Sequence, residues 1–224
     1  MGLKLNDHEL RVLGVLLEKS LTQPDNYPLT LNAIVLGANQ KQNRDPVLEL
    51  TESEVAAALH SLETRQLVQY ASTSPGARAN RFKHNVVETL HWDRREQAVM
   101  AELMLRGRQT PGELRARASR MTPFADLESV AATLAALGSG DPPFVEELPR
   151  EPGRSANRFR HLLSATDAPA PAVCEPEGGG SAPEPALAER VARLEALVAR
   201  LEETVESLRR ERQDRVDRSD GKPV

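Results

Sequence analysis

Apolar residues recur every three or four positions in three segments near the start of the chain, residues 7–21, 30–40 and 51–66. This spacing is typical of amphipathic helices, each with one face turned towards a core. The third segment opens with Thr51 and Glu54, which have the spacing of a capping box, in which each side chain bonds the backbone N–H of the other residue. We therefore predict three helices in this region.

The apolar period then shortens to alternate residues in two runs, residues 67–73 and 79–86, joined by a Ser-Pro-Gly turn. Alternation around turn residues is typical of a β-hairpin with one buried face. In the second run, Phe82 falls on one face, and Arg81 and Lys83 fall on the other. We expect the phenylalanine to hold the hairpin against its core.

The same order of elements occurs a second time. Residues 75–84 return as residues 152–161 with seven of ten positions identical. Helical spacing and strand alternation predict three further helices and a second hairpin, over residues 93–107, 110–118, 126–137, 144–148 and 157–163. An internal repeat of this length indicates one small module built twice.

Three helices followed by a hairpin are typical of the winged helix, a relative of the helix-turn-helix whose hairpin is called the wing. We therefore predict a mainly α fold with small β wings. It consists of tandem winged-helix (helix-turn-helix) domains over residues 1–88 and 89–164, plus a C-terminal coiled-coil helix.

The C-terminal quarter has a different composition. Residues 165–186 are rich in Pro, Ala, Gly and Glu, which predicts a flexible linker, and residues 213–224 form a polar tail. Residues 187–212 predict a coiled-coil helix that forms a homodimer, because Val and Leu alternate along a heptad seam. The seam comprises Leu187, Val191, Leu194, Val198, Leu201, Val205 and Leu208. The alternative is an amphipathic helix that folds back on its own domains.

Composition narrows the function classes. The 224-residue chain has a net charge of −4 and a single cysteine, Cys174, which excludes an intramolecular disulfide and a Cys-rich zinc site. The histidines lack metal-ligand spacing, and no glycine-rich loop joins a predicted strand to a helix. No segment reaches the roughly 18 apolar residues of a membrane span. We predict a cytoplasmic protein that is not an enzyme and needs no metal or cofactor.

Eight cations are candidate contacts for nucleic-acid phosphates: Lys41, Arg44, Arg78, Arg81, Lys83, Arg154, Arg158 and Arg160. The first two lie in a loop rich in Asn and Gln, whose amides can also read base edges, and the other six lie in the hairpins. The alternatives are a loop whose amides bond its own backbone and hairpin faces that are merely solvated. The third helix of each module is acidic or rich in alanine, which argues against reading of base sequence.

Several longer motifs resemble the YceH-like family of bacterial proteins. They are Leu17–Lys19, Pro24, Tyr27–Leu29, Asn39–Lys41, Asn43–Arg44, Pro46–Val47, Arg106–Gly107, Gln109–Arg115 and Arg150–Gly153. The resemblance covers residues 5 to about 163 and implies a tandem winged-helix fold. It implies no activity, because the function of that family is unknown.

Two functions fit this sequence. The first is a dimeric, non-enzymatic protein that associates with double-stranded DNA or acts in regulation. The second is a scaffold that uses its winged helices to bind a protein partner without binding DNA. Nearly neutral modules and acidic third helices favour the second, and the cationic hairpins favour the first.

Overall fold

A computed structural model describes residues 2–71, 80–150 and 156–165. The elements, in chain order, are α1 (Asp7–Thr22), β1 (Leu29–Thr30), α2 (Leu31–Ala38), α3 (Glu52–Thr64), β2 (Val68–Ala71), β3 (Arg81–His84), α4 (Val86–Leu90), α5 (Arg94–Arg106), α6 (Pro111–Ala118), α7 (Leu127–Gly138), β4 (Val145–Glu147) and β5 (Phe159–His161). The described residues are mainly helical with two small antiparallel sheets, as predicted.

The helix starts follow the capping residues. Thr51 and Glu54 form the predicted capping box at α3, and Thr110 and Glu113 form another at α6. Asn6 caps α1 in the same way. In each box one side chain bonds a backbone N–H that has no partner within the helix. The six longer predicted helices are therefore present within a few residues of their expected bounds.

The two sheets share one register. In the first sheet, β3 lies between β1 and β2, with Phe82 opposite Tyr70 and His84 opposite Val68. In the second sheet, β5 pairs with β4 in the corresponding register, with His161 opposite Val145 and Phe159 opposite Glu147. Strand β1 was not predicted, because two residues are too few to show alternation.

Helices α1 and α5 lie at the centre of the described residues and pack directly on each other. A Cβ atom added to Gly14 of α1 would lie 3.0 Å from the Leu105 side chain of α5, so this glycine permits the close approach. The buried side chains of both halves form one continuous core. The two predicted domains therefore share an interior, and the boundary between residues 88 and 89 stays a prediction.

The predictions for residues 166–224, namely most of the linker, the coiled-coil helix with its seam, and the polar tail, lie outside the described residues. The two hairpin turns, with Arg78 and Arg154, also lie outside them. None of the described helices is both long and apolar enough to cross a membrane.

Candidate functional site

A cluster of buried charges lies where α1 meets α5. Glu18 of α1 and Glu102 of α5 each expose only 1% of their side chain, although both are carboxylates. Arg44, from the loop after α2, is fully buried and forms a fork with Glu18, at 3.2 Å from Nη1 to Oε1 and 2.6 Å from Nη2 to Oε2. A two-pronged pair of this kind offsets much of the cost of burying both charges.

Arg120, just beyond α6, joins the two carboxylates. Its Nη2 atom donates to Glu18 Oε1 at 2.7 Å and to Glu102 Oε1 at 2.8 Å. Burial by itself would raise the pKa of Glu18, but the hydrogen bonds and charges of Arg44 and Arg120 outweigh it and hold that pKa below its usual value. Glu18 is therefore an ionised carboxylate at neutral pH, which argues against a role as a proton donor.

The loop after α2 is held in place by hydrogen bonds from Arg44 and Arg106. Gln40 Oε1 accepts a hydrogen bond from Arg44 at 3.1 Å, and Asn43 Oδ1 accepts one from Arg106 of α5. Asn43 adopts a left-handed backbone with φ of 61°, a conformation that asparagine tolerates better than most residues. The loop is thus fixed by side chains from both halves of the chain.

A pocket of about 510 Å³ opens beside this cluster. It is lined by Glu18, Lys19, Gln40, Lys41, Gln42, Asn43 and Arg120. Three of these side chains are cations and one is a carboxylate, so the lining is positive. Its volume lies within the range of small-molecule sites.

The expectation that Arg44 reaches outward to nucleic acid is wrong. Its guanidinium bonds Glu18 and also the backbone oxygens of Gly37 and Asn43, at 2.7 to 3.0 Å. A charge with this many buried partners is part of the interior. Lys41, by contrast, is exposed, and Asn39 bonds the backbone of Leu50, as the alternative interpretation of the loop predicted.

The hairpin cations lie in unlike surroundings in the two halves. In β3, Arg81 is exposed and donates to the Pro28 carbonyl at 2.8 Å, and Lys83 is half-buried. Neither has an ion-pair partner within the described ranges. In β5, Arg160 forms an ion pair with Glu146 of the neighbouring strand, and the Arg158 Nε atom is buried without a hydrogen-bond partner among described groups.

The two repeated histidines lie in the interior. Burial lowers the pKa of His84 and of His161 to about 4, with the neighbouring cations Lys83 and Arg160 adding to the effect. His84 Nε2 lies 3.0 Å from Ser20 Oγ. Both side chains are therefore neutral at pH 7. In the part of the chain that the structure describes, no three His, Cys, Asp or Glu residues are grouped so as to hold a metal ion.

A family model described as a protein of unknown function, DUF480, matches residues 5–154. The chain belongs to this family. It is 48% identical to a UPF0502 protein of Geobacter sulfurreducens over 90% of this chain and 91% of the relative. It is 40% identical to a UPF0502 protein of Citrifermentans bemidjiense over 97% of this chain and 99% of the relative. The predicted membership of an uncharacterised bacterial family is therefore confirmed.

Four of the motifs that carried the resemblance meet at the buried cluster. They contribute Glu18 with Lys19, the run Asn39–Lys41, Asn43 with Arg44, and Arg106.

Three members of the buried cluster, Glu18, Glu102 and Arg120, were not predicted as site residues from the sequence. A signal was present for the carboxylates: each lies one helical turn after a small residue of an apolar stripe, Gly14 in α1 and Ala98 in α5. A charge in an apolar stripe points to a buried partner. Arg120 carried no such signal, since it follows the end of α6.

Proposed function

We propose that this DUF480 protein is a cytoplasmic, non-enzymatic regulatory protein whose two winged-helix modules associate with double-stranded DNA. The order of elements supports this proposal, because it is the same in both halves: a helix, a short strand or bridge, two helices and a hairpin. In the second half an antiparallel bridge between Gln109 and Phe159 takes the place of the β1–β3 pairing between Leu29 and Phe82. This element order is the one expected of winged helices.

The observation that carries the DNA proposal is the first hairpin. Arg81 and Lys83 lie two positions apart on one strand, and the partner strand holds Gln69 opposite Lys83 and no acidic residue. Cations on one strand face have a spacing of roughly 6–7 Å, close to that of phosphates along a DNA strand. The first wing is therefore better suited to a phosphate backbone than the second.

The contact would be to phosphates and not to bases. The exposed face of α3 carries Glu52, Glu54 and Glu63, and α7 carries Glu128 and no cation. Carboxylates repel the backbone that flanks the major groove. The binding would therefore be weakly selective for sequence, and a homodimer formed through the predicted heptad seam would raise its avidity.

Fluorescence anisotropy of a labelled mixed-sequence duplex, measured across a salt series, tests this proposal. Replacing Arg81 and Lys83 together by alanine should lower the slope of log affinity against log salt by about 2, one for each lost phosphate contact. The matched pair, Arg158→Ala with Arg160→Ala, should leave the slope nearly unchanged. Absence of binding by the full chain at low salt would overturn the proposal.

A protein partner is the second candidate function, and α7 favours it. Leu127 is half exposed, and Ala131, Ala132, Ala135 and Ala136 are also exposed on this helix. An apolar helix face flanked by acidic residues suits another protein better than a polyanion. A partner that co-purifies with the full chain and is lost in Leu127→Glu, but not in the matched Val87→Glu variant of another exposed apolar residue, would support it.

A further inference from the structure

The pocket beside the buried charges presents hydrogen-bond donors almost exclusively. Its one carboxylate, Glu18, is already engaged at both oxygens: Oε1 accepts from Arg44 and Arg120, and Oε2 accepts from Arg44. A carboxylate so engaged offers little further capacity to accept hydrogen bonds. What remains on the pocket lining is cationic or amide in character.

Three amide side chains line the pocket, and two of them, Gln40 and Asn43, are oriented to act as donors. Gln40 turns its Oε1 to Arg44, and Asn43 turns its Oδ1 to Arg106. An arginine can only donate, so the oxygen of each amide must face it and the NH₂ group is left for another acceptor. Neither NH₂ group has a hydrogen-bond partner within residues 2–71, 80–150 and 156–165.

The cations of the pocket also have N–H groups that form no hydrogen bond to the described residues. Both hydrogen bonds of Arg120 leave from Nη2, so its Nη1 and Nε atoms have no such bond to the described residues. Lys19 Nζ lies 3.7 Å from Glu18 Oε2, beyond hydrogen-bond distance. Lys41 is exposed at the pocket mouth. The lining therefore holds one carboxylate that is already hydrogen-bonded, three cations and three amides, two of which are oriented as donors.

We propose that this pocket binds the phosphate group of a small phosphate ester. A phosphate offers several acceptor oxygens and no obligatory donor, and its charge matches the positive lining. The volume of about 510 Å³ exceeds what a bare phosphate fills and suits a ligand the size of a nucleotide monophosphate. Because α1, the Asn39–Arg44 loop and Arg120 all border it, the ligand would contact both halves of the chain.

Calorimetric titration of the full chain with inorganic phosphate, pyrophosphate and AMP tests the proposal. We expect all three to bind, with AMP tighter than inorganic phosphate. Lys41→Ala removes an exposed cation without disturbing the fold and should weaken AMP binding about fivefold. Gln40→Glu keeps an oxygen for Arg44 but replaces the donor amide with a charge, and should weaken binding at least about tenfold.

Arg94→Ala is the matched control, because Arg94 is an exposed cation that does not line the pocket. It should leave AMP binding unchanged. Equal weakening by Arg94→Ala and Lys41→Ala, or no heat with any of the three probes, would overturn the proposal. Unfolding midpoints of the variants, compared with the wild type, show whether a lost signal reflects a lost fold.

A competition arm separates a small ligand from a nucleic-acid backbone. Duplex DNA added to the AMP complex of the wild type should not displace AMP, because the pocket serves a small ester. Displacement of bound AMP by duplex DNA would assign the pocket to the phosphodiester backbone and overturn the proposal. The wing pair Arg81→Ala with Lys83→Ala should leave AMP binding intact. The test of phosphate binding in the pocket is therefore independent of DNA association.

Discussion

The two hairpins have the same register and different surface charges. In both, a phenylalanine and a histidine of the second strand face inward, at Phe82 and His84 in one and Phe159 and His161 in the other. The outward cations differ in their partners, because Gln69 lies opposite Lys83 where Glu146 lies opposite Arg160. The repeat has thus kept its packing residues and changed its surface charge.

This difference separates the positions of a duplicated module that the core restricts from the outward positions that it leaves free to vary. Inward positions are restricted by the core, since any change there leaves a cavity or a buried polar group. Outward positions carry no such restriction. A cationic face in one copy and a neutralised face in the other are therefore both compatible with the same fold.

The largest expected effect concerns Arg44, whose side chain is fully buried, whereas Arg81 of the first hairpin is exposed. Arg44→Met should lower the free energy of unfolding by about 3–5 kcal/mol, because it leaves Glu18 buried with one strong partner fewer. Urea denaturation measures this loss. Lys41→Met, an exposed cation of the same loop, is the control and should cost little. An unchanged midpoint for Arg44→Met would mean that the cluster is solvated.

The next effect compares the two phenylalanines. Phe82 is buried at 7% exposure and packs on the Tyr70 ring at 4.8 Å between centroids, whereas Phe159 is only partly buried. Phe82→Ala should lower the free energy of unfolding by about 3 kcal/mol, and Phe159→Ala by about half of that. The same denaturation series measures both. Equal losses would contradict the difference in packing between the halves.

The effect per residue is smaller for the two histidines. Each has a pKa of about 4 in the folded chain, below the usual value, so the unfolded chain binds more protons as the pH falls through 6.5. The contribution of these two histidines to the free energy of unfolding is fully present above about pH 6.5 and is lost as the pH falls towards 4. Between pH 7 and pH 5 each histidine should cost about 2 kcal/mol.

The measurement is the free energy of unfolding of the wild type at both pH values. Replacing His84 and His161 together by glutamine should remove most of the dependence. His60→Gln, a change at a histidine whose side chain is 82% exposed, should preserve it. A steep loss that persists in the double variant would assign the acid sensitivity to other groups.

Most of the fold could be predicted from local patterns. Capping residues such as Thr51 and Thr110 act on the helix that they start, and the alternation of β3 reports its own buried face. The 75–84 repeat also indicated that the second half follows the first. Short elements such as β1 and α4 carried too few residues to show a period.

The candidate site could not be predicted in the same way, because its members are distant in the chain. Arg120 reaches a carboxylate 102 residues away, and Arg106 reaches Asn43 across 63 residues. Such pairs depend on how α1 packs against α5, which no local period reveals. Arg44 is an example: the loop sequence predicts an outward cation, whereas the folded chain buries its guanidinium against Glu18.

The smallest effect is expected from two substitutions that exchange the charge pairing of the two hairpins. Gln69→Glu places a carboxylate opposite Lys83 and gives the first hairpin the pairing that Glu146 and Arg160 form in the second. Under the DNA proposal this change should lower the salt slope of duplex binding by about 1, since one cation is then neutralised. The reverse change, Glu146→Gln, frees Arg160 and should raise the slope by up to about the same amount. Because exposed pairs contribute little to stability, both variants should unfold at the wild-type midpoint, which separates charge from folding. If both variants keep the wild-type slope, the outward cations of the hairpins take no part in binding.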